Sequence, residues 1–165
     1  VVGGQSYLQW MITFDFNNNY VSSRIAKNLL EVIPINLDQV HRYLSKAYLH
    51  LEGSDRIKAI DLDGSYQLLY DSARKSLTSI FALNGLRPSS HGGHSILYDV
   101  IIKCVPSDEI LNFRKYDRMR RRRNFTEYLS DKSVEITAEI RDEDFIIAQY
   151  LYVIALEELE KRVGN

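Results

Sequence analysis

Apolar positions recur along most of this chain at spacings of three and four, the period of an amphipathic helix, with one exception at its start. There Trp10, Ile12, Phe14 and Phe16 alternate with more polar neighbours, and Asn17, Asn18 and Asn19 break the run. Strict alternation is a strand signal, and an asparagine cluster is a turn signal. Residues 1–20 are therefore expected to be an N-terminal extension: a short added strand, an arm onto a partner, or sequence appended for expression. The main domain is expected over residues 21–165.

From Ser22 onward the helical period takes over. A short helix is expected over residues 23–32, presenting Ile25, Leu29 and Leu30 and stopping before Pro34, since proline disfavours helical backbone at the preceding residue. Asn36, with Gln39 three residues on, predicts the N-cap of a second helix. Its stripe is Val40, Tyr43, Leu44, Ala47, Tyr48 and Leu51, and Gly53 is expected to end it. A third helix starts near Asp61 and stops at Asn84 and Gly85. Its stripe of Tyr66, Leu69, Tyr70, Ala73, Leu77, Ile80 and Phe81 is broad enough for a central core helix. The run Arg87-Pro88-Ser89-Ser90-His91-Gly92-Gly93 reads as a loop. Ile96, Leu97, Val100, Ile101 and Cys104 mark a further helix up to Pro106. Ser107, Asp108 and Glu109 then open another, with acids where the helix macrodipole favours them. It runs through Ile110, Phe113 and Tyr116 into a block of arginines. Thr137 predicts the cap of the last helix, whose face is Ile140, Ile147, Tyr150, Leu151, Ile154 and Leu159. The sum is an all-α chain, an antiparallel four- to five-helix bundle.

Composition narrows the class. With 165 residues, 45% of them hydrophobic, and three prolines, the chain has the profile of one folded domain with a sizeable core. A single cysteine, Cys104, excludes an internal disulfide framework and fits a reducing, cytoplasmic setting. Its place on an apolar face predicts a buried, inert thiol. No apolar stretch approaches the ~18 residues of a membrane span, and no basic segment leads into an apolar core, so neither a membrane nor a secretory signal is expected.

Charge is balanced overall, 21 Lys+Arg against 22 Asp+Glu, which argues against a general nucleic-acid binder. Its distribution is uneven. The run Tyr116-Asp117-Arg118-Met119-Arg120-Arg121-Arg122-Arg123-Asn124-Phe125-Thr126-Glu127-Tyr128 packs five arginines into six positions. A local basic patch suits phosphate better than it suits a core. Four consecutive helical residues point about 100° apart, so Arg120 to Arg123 cannot all face one ligand. Arg120 and Asn124 share a face with Tyr128, whereas Arg123 lies about 140° round from Tyr128. Those two converge only where the helix bends or ends between them, or where a second copy supplies one of them. Asp117 with Arg121, and Glu127 with Arg123, are the expected surface ion pairs.

Other chemistry is sparse. His91 and His94 lack a third metal ligand and sit in a glycine turn, so no metal is expected there. Nothing links His41 to His50. There is no phosphate-cradling glycine loop, paired-cysteine motif or zinc-protease helix signature, and no cofactor is expected. Asp61-Leu62-Asp63-Gly64 lacks the later ligands of a calcium loop and reads as a helix cap.

Three stretches together resemble the HEPN superfamily of small all-α domains, whose name stands for higher eukaryotes and prokaryotes nucleotide-binding. They are Ala47-Tyr48-Leu49-His50-Leu51, the stretch from Asp63 to Leu77 continuing through Leu83-Asn84-Gly85-Leu86-Arg87 to Gly93-His94, and Arg120 to Tyr128. The resemblance covers roughly residues 25–160, and the chain looks like a largely uncharacterised prokaryotic subfamily. It implies a bundle that pairs as a homodimer, with RNA or a nucleotide held in an arginine-rich dimer cleft. Many members are metal-independent endoribonucleases of toxin–antitoxin, anti-phage or RNA-processing systems, so a cognate antitoxin or nucleotidyltransferase-like partner is also implied. The family signature is Arg, a polar residue, several more residues, then His. Arg123 matches the Arg, Asn124 the polar residue, and Tyr128 stands where active members carry His.

That departure bears on mechanism. Histidine titrates near ~6.5 and serves as base or acid at neutral pH, whereas tyrosine, near ~10, is a poor base there. The resemblance assigns Arg123 to stabilising the phosphate, Asn124 to positioning it and Tyr128 to supplying a proton or hydrogen bond, with Arg120 holding backbone phosphate. The alternative is a non-catalytic module that binds a nucleotide or partner in the same cleft.

Overall fold

The computed structural model describes residues 12–91, 93, 95–127 and 135–164. Its elements are α1 (Asn19–Ala26), β1 (Leu30–Val32), α2 (Leu37–Ile57), α3 (Leu62–Leu83), β2 (Leu86–Pro88), α4 (Ser95–Ile101), α5 (Ile110–Glu127) and α6 (Ala138–Val163). The chain is thus all-α apart from one small pair of strands. Its helices form a bundle centred on α3, which packs against α2, α6, α5 and α4. Tyr66, Leu69, Tyr70, Ala73, Leu77, Ile80 and Phe81, the whole predicted stripe of α3, are buried. Among the described residues no helix is long and apolar enough to cross a membrane.

The caps explain where the long helices begin. Asn36 accepts from the Gln39 amide at 3.1 Å, Asp61 from the Gly64 amide at 2.8 Å and Thr137 from the Ile140 amide at 3.3 Å. Each satisfies an amide that the first helical turn leaves without a partner. Asp61 is therefore a cap, as its sequence context suggested.

Several boundaries differ from expectation: α4 ends at Ile101 rather than at Pro106, α5 opens at Ile110 with no acid in its first turn, and Arg87 and Pro88 lie in a strand rather than a loop. The first helix is not over residues 23–32: Asn18 caps it at Val21, so it starts at Asn19 and ends at Ala26. Asn28 then takes a positive φ of 55°, a backbone turn that asparagine tolerates, and Leu30–Val32 becomes a strand. That strand pairs antiparallel with Leu86–Pro88, Leu30 opposite Pro88 and Val32 opposite Leu86. Gly85 makes the pairing possible. Its φ of +70° turns the chain out of α3, and a Cβ there would sit 3.2 Å from the Ile33 carbonyl oxygen. A further correction is at Gly53, which does not end α2; the helix continues to Ile57, with Gly53 packed toward Leu68.

Residues 12–16 form no strand, yet their alternation is used. Ile12 and Phe16 are buried, Phe14 is partly buried, and Thr13 and Asp15 point outward. Phe16 meets Phe81 edge-on at 5.1 Å, and Phe14 meets Phe113 edge-on at 6.3 Å. The Asp15 amide donates to the Cys104 carbonyl at 2.8 Å, and Lys161 Nζ donates to the Ile12 carbonyl at 2.7 Å. These residues share one core with the helices. Cys104 itself is 2% exposed, and burial pushes its thiol up to about 11, so the expected inert cysteine is what the fold contains.

Candidate functional site

The arginine block divides into three sets, according to which way each side chain leaves α5. Arg118 and Arg122, one turn apart, reach across to α6 and hold Asp144, which is completely buried. Arg118 donates to Oδ1 at 2.9 Å, Arg122 to Oδ2 at 2.7 Å, and the Tyr66 hydroxyl to Oδ2 at 2.6 Å. Burial opposes the Arg122 charge, but the bonds from Asp144 outweigh it and raise its pKa. Burial and the Asp144 charge together push the Tyr66 phenol far above its ordinary value. This ion cluster joins α3, α5 and α6 around a buried carboxylate; Arg122 is packed inside it, while Arg118 reaches it from the surface.

A second internal arginine reinforces that junction. Arg141 is 2% exposed and lies over the Phe145 ring at 4.8 Å. Its Nε donates to Ser65 Oγ at 3.1 Å and its Nη2 to Ser54 Oγ at 3.0 Å, while Nη1 meets Asp142 at 2.7 Å. Because Ser65 Oγ gives its proton to the Ser54 carbonyl, Ser54 Oγ must donate to Ser65 Oγ. The serines thus tie α2 to α3 at the level where Arg141 enters.

Arg120 and Arg121 form the second set, sharing Asp117. Arg120 donates to Oδ1 through Nε at 2.9 Å and Nη2 at 2.7 Å, and Arg121 donates to Oδ2 through Nε at 2.8 Å. The expected pairing of Asp117 with Arg121 is present. Arg121 is 68% exposed and Arg120 20%, so only Arg120 is packed against the body of the protein.

Arg123 is the third set. Its Nε donates to Gln67 Oε1 at 2.9 Å and its Nη1 lies 3.5 Å from Asn124 Oδ1. Its guanidinium stands 5.8 Å from the centre of the Tyr70 ring. From α3, Arg74 approaches the same tyrosine, held on Asp71 by Nε at 3.2 Å and Nη2 at 3.1 Å. Burial raises the Tyr70 phenol, and the Tyr116 hydroxyl with Arg74, Arg120 and Arg123 offsets only part of that rise. Tyr70 stacks on Tyr116 with ring centres 5.9 Å apart, and burial raises the fully enclosed Tyr116 phenol further. Neither phenol can therefore act as a base near neutral pH.

The structure thus brings together Arg120, Arg123 and Asn124 of the expected site and adds Gln67, Tyr70 and Arg74 from α3. Arg123 of α5 and Arg74 of α3 lie on either side of Tyr70, which is itself buried in a stack with Tyr116. Tyr128, the remaining expected site residue, lies outside the described residues, as does His94. Arg74, Arg120 and Arg123 form a basic rim that can clamp a phosphate through charge-assisted, forked hydrogen bonds. Arg74 escaped the sequence reading because only tertiary packing carries α3 to α5. Asp144 did leave a trace: it stands on the apolar face of α6, four residues after Ile140 and three before Ile147, where a charge requires a partner.

Comparison with family models, with curated proteins and with solved structures finds no match to this chain. What the geometry defines is a helical bundle, pinned by one pair of short strands, with a basic rim between α3 and α5.

Proposed function

We propose that this chain is a HEPN-type protein that binds RNA through its phosphate backbone at the rim formed by Arg74, Arg120 and Arg123, and cleaves it without a metal ion. The observation that supports the reading is Arg123 of α5 set 5.8 Å from the centre of the Tyr70 ring, with Arg74 one turn after that tyrosine on α3. Arg118 and Arg122 face Asp144 and take no part. Arg123 and Arg74 clamp the phosphate from two sides, Arg120 adds positive potential, and Asn124, beside Arg123, positions a non-bridging oxygen. Tyr128 supplies a proton or hydrogen bond to the leaving group. The homodimer implied by the family resemblance would set two such rims along one cleft.

The test is incubation of purified protein with end-labelled single-stranded RNA in excess EDTA, beside Arg123→Ala and Tyr128→Phe. Cleavage by the parent that is lost in Arg123→Ala supports the ribonuclease. Binding that weakens steeply with salt and is lost in Arg123→Ala, with the RNA intact, supports the non-catalytic module instead, which the tyrosine in the histidine position favours. RNA neither bound nor cut refutes both.

A further inference from the structure

We propose that Gln67 is the positioning residue of this site: it turns the guanidinium of Arg123 so that the terminal nitrogens meet the phosphate. The inference rests on the RNA-binding reading above and names the α3 residue that sets the geometry of that contact. Arg123 stands on α5 and Gln67 on α3, 56 positions apart in the chain, and the Arg123 Nε donates to Gln67 Oε1 at 2.9 Å. An Nε–H can only donate, so it meets the amide oxygen, and this settles which way the Gln67 amide is turned. Tyr70 follows Gln67 by three residues on the same edge of α3, and its ring centre lies 5.8 Å from the guanidinium carbon, which stands over it. The hydrogen bond lies in the guanidinium plane, and the ring stops the group from one side. Together they restrict both its swing and its rotation.

That orientation decides which atoms a ligand can use. A guanidinium grips an anion side-on, through Nε and one Nη, or end-on, through both Nη nitrogens. With Nε on Gln67, the side-on fork is closed, and a phosphate meets Arg123 through its Nη nitrogens. Arg74 is turned in the same way: its Nε and Nη2 both donate to Asp71 Oδ1, at 3.2 Å and 3.1 Å. Gln67 and Asp71 are four residues apart, neighbours on one edge of α3.

The two anchors differ in charge. Asp71 is a carboxylate, and Lys75 shares it with Arg74 at 3.3 Å. Gln67 is an amide, partly buried, and it orients Arg123 without placing a negative charge beside the phosphate. A carboxylate at this position would hold the guanidinium as firmly and would compete with the ligand for it. The amide therefore lowers the cost of ordering a long side chain on binding while the attraction for phosphate is kept.

The experiment measures binding of a single-stranded oligoribonucleotide by the parent, Gln67→Met and Gln67→Glu over a salt series, with thermal melting in parallel. Methionine keeps the length of the side chain and removes the acceptor. An arginine that must be ordered afresh on binding predicts affinity about 2- to 12-fold weaker. The slope of log affinity against log salt should not change, because every cation is still present. Gln67→Glu should weaken binding and also lower the slope by about one contact. The Arg123 Nε–H proton–nitrogen resonance, identified by its absence from Arg123→Ala, supplies a signature that packing alone would not move. It should exchange slowly with water in the parent and in Gln67→Glu, and fast in Gln67→Met. A Gln67→Met that binds as tightly as the parent overturns the role of Gln67 and leaves the RNA site standing. Weaker binding with a lowered melting temperature and an unchanged Arg123 Nε–H resonance assigns Gln67 to packing and refutes the proposal. A parent that does not bind RNA refutes the site and the positioning role together.

Discussion

Replacing Asp144 by alanine should be among the most destabilising single changes in the described structure. The carboxylate is fully buried and takes three donors: Arg118 at 2.9 Å, Arg122 at 2.7 Å and the Tyr66 hydroxyl at 2.6 Å. Removing it leaves them in unequal positions. Arg118 is 43% exposed and can turn to water, but Arg122 is only 18% exposed and Tyr66 is fully enclosed. Breaking a buried ion pair by deleting one partner costs about 3–5 kcal/mol, most of it the penalty for the charge left behind. Against a total stability of about 5–15 kcal/mol, that is between about a fifth and the whole of the margin. At roughly 2–4 °C per kcal/mol for a chain of this size, the variant's melting temperature should fall by about 6–20 °C. Urea unfolding followed by far-ultraviolet circular dichroism, read as a shift in midpoint at constant slope, measures the cost directly. Tyr66→Phe removes one hydrogen bond to a charged group and should cost about 1.5–3 kcal/mol. The double variant should cost less than the sum of the two, because the residues share one bond. A cost below about 1 kcal/mol for Asp144→Ala would refute the assignment of Arg118 and Arg122 to the buried Asp144 carboxylate, and with it the division of the arginine block.

The same division separates neighbouring arginines. Arg122→Ala should destabilise the fold by several times more than Arg121→Ala, whose exposed pair with Asp117 contributes below about 1 kcal/mol; parallel urea titrations test this. Arg74→Ala should weaken RNA binding and lower the slope of log affinity against log salt by about one contact, whereas Arg121→Ala should change it little. Cys104, raised to about 11 by burial, should resist a disulfide reagent at pH 8 in the native protein and react fully in urea. His50 makes stability depend on pH: its native pKa is lowered, so below about 6.5 the unfolded chain binds the proton more readily. Stability should therefore be undiminished by this group above that value and decline as pH falls from it through the native pKa, a decline that His50→Gln removes.

How much of this could be read from the sequence depended on the range of the interaction. The three long caps, the central stripe of α3 and the inert cysteine rest on contacts within a turn or on simple periodicity, and all three were legible. The α1 boundary was not, because Leu29 and Leu30 fit a helical stripe as well as a strand. What decides between them is a partner at Leu86–Pro88, far along the chain. The arginine block was legible as a concentration of charge but not as three sets. Helical geometry already says that adjacent arginines diverge; what each one meets is fixed by α6 and α3. The informative mark was not the block but the polar residues placed on apolar faces elsewhere. Asp144 on the stripe of α6 turned out to hold two of the arginines. His50, three residues after Ala47 on the stripe of α2, is such a mark too, and its enclosed Nδ1 faces the carboxylate that also holds Arg74. A charged or titratable side chain on a core-facing stripe must find a partner or do chemistry. Asp144 has three donors, and that is how the fold accommodates a charge on its core-facing stripe.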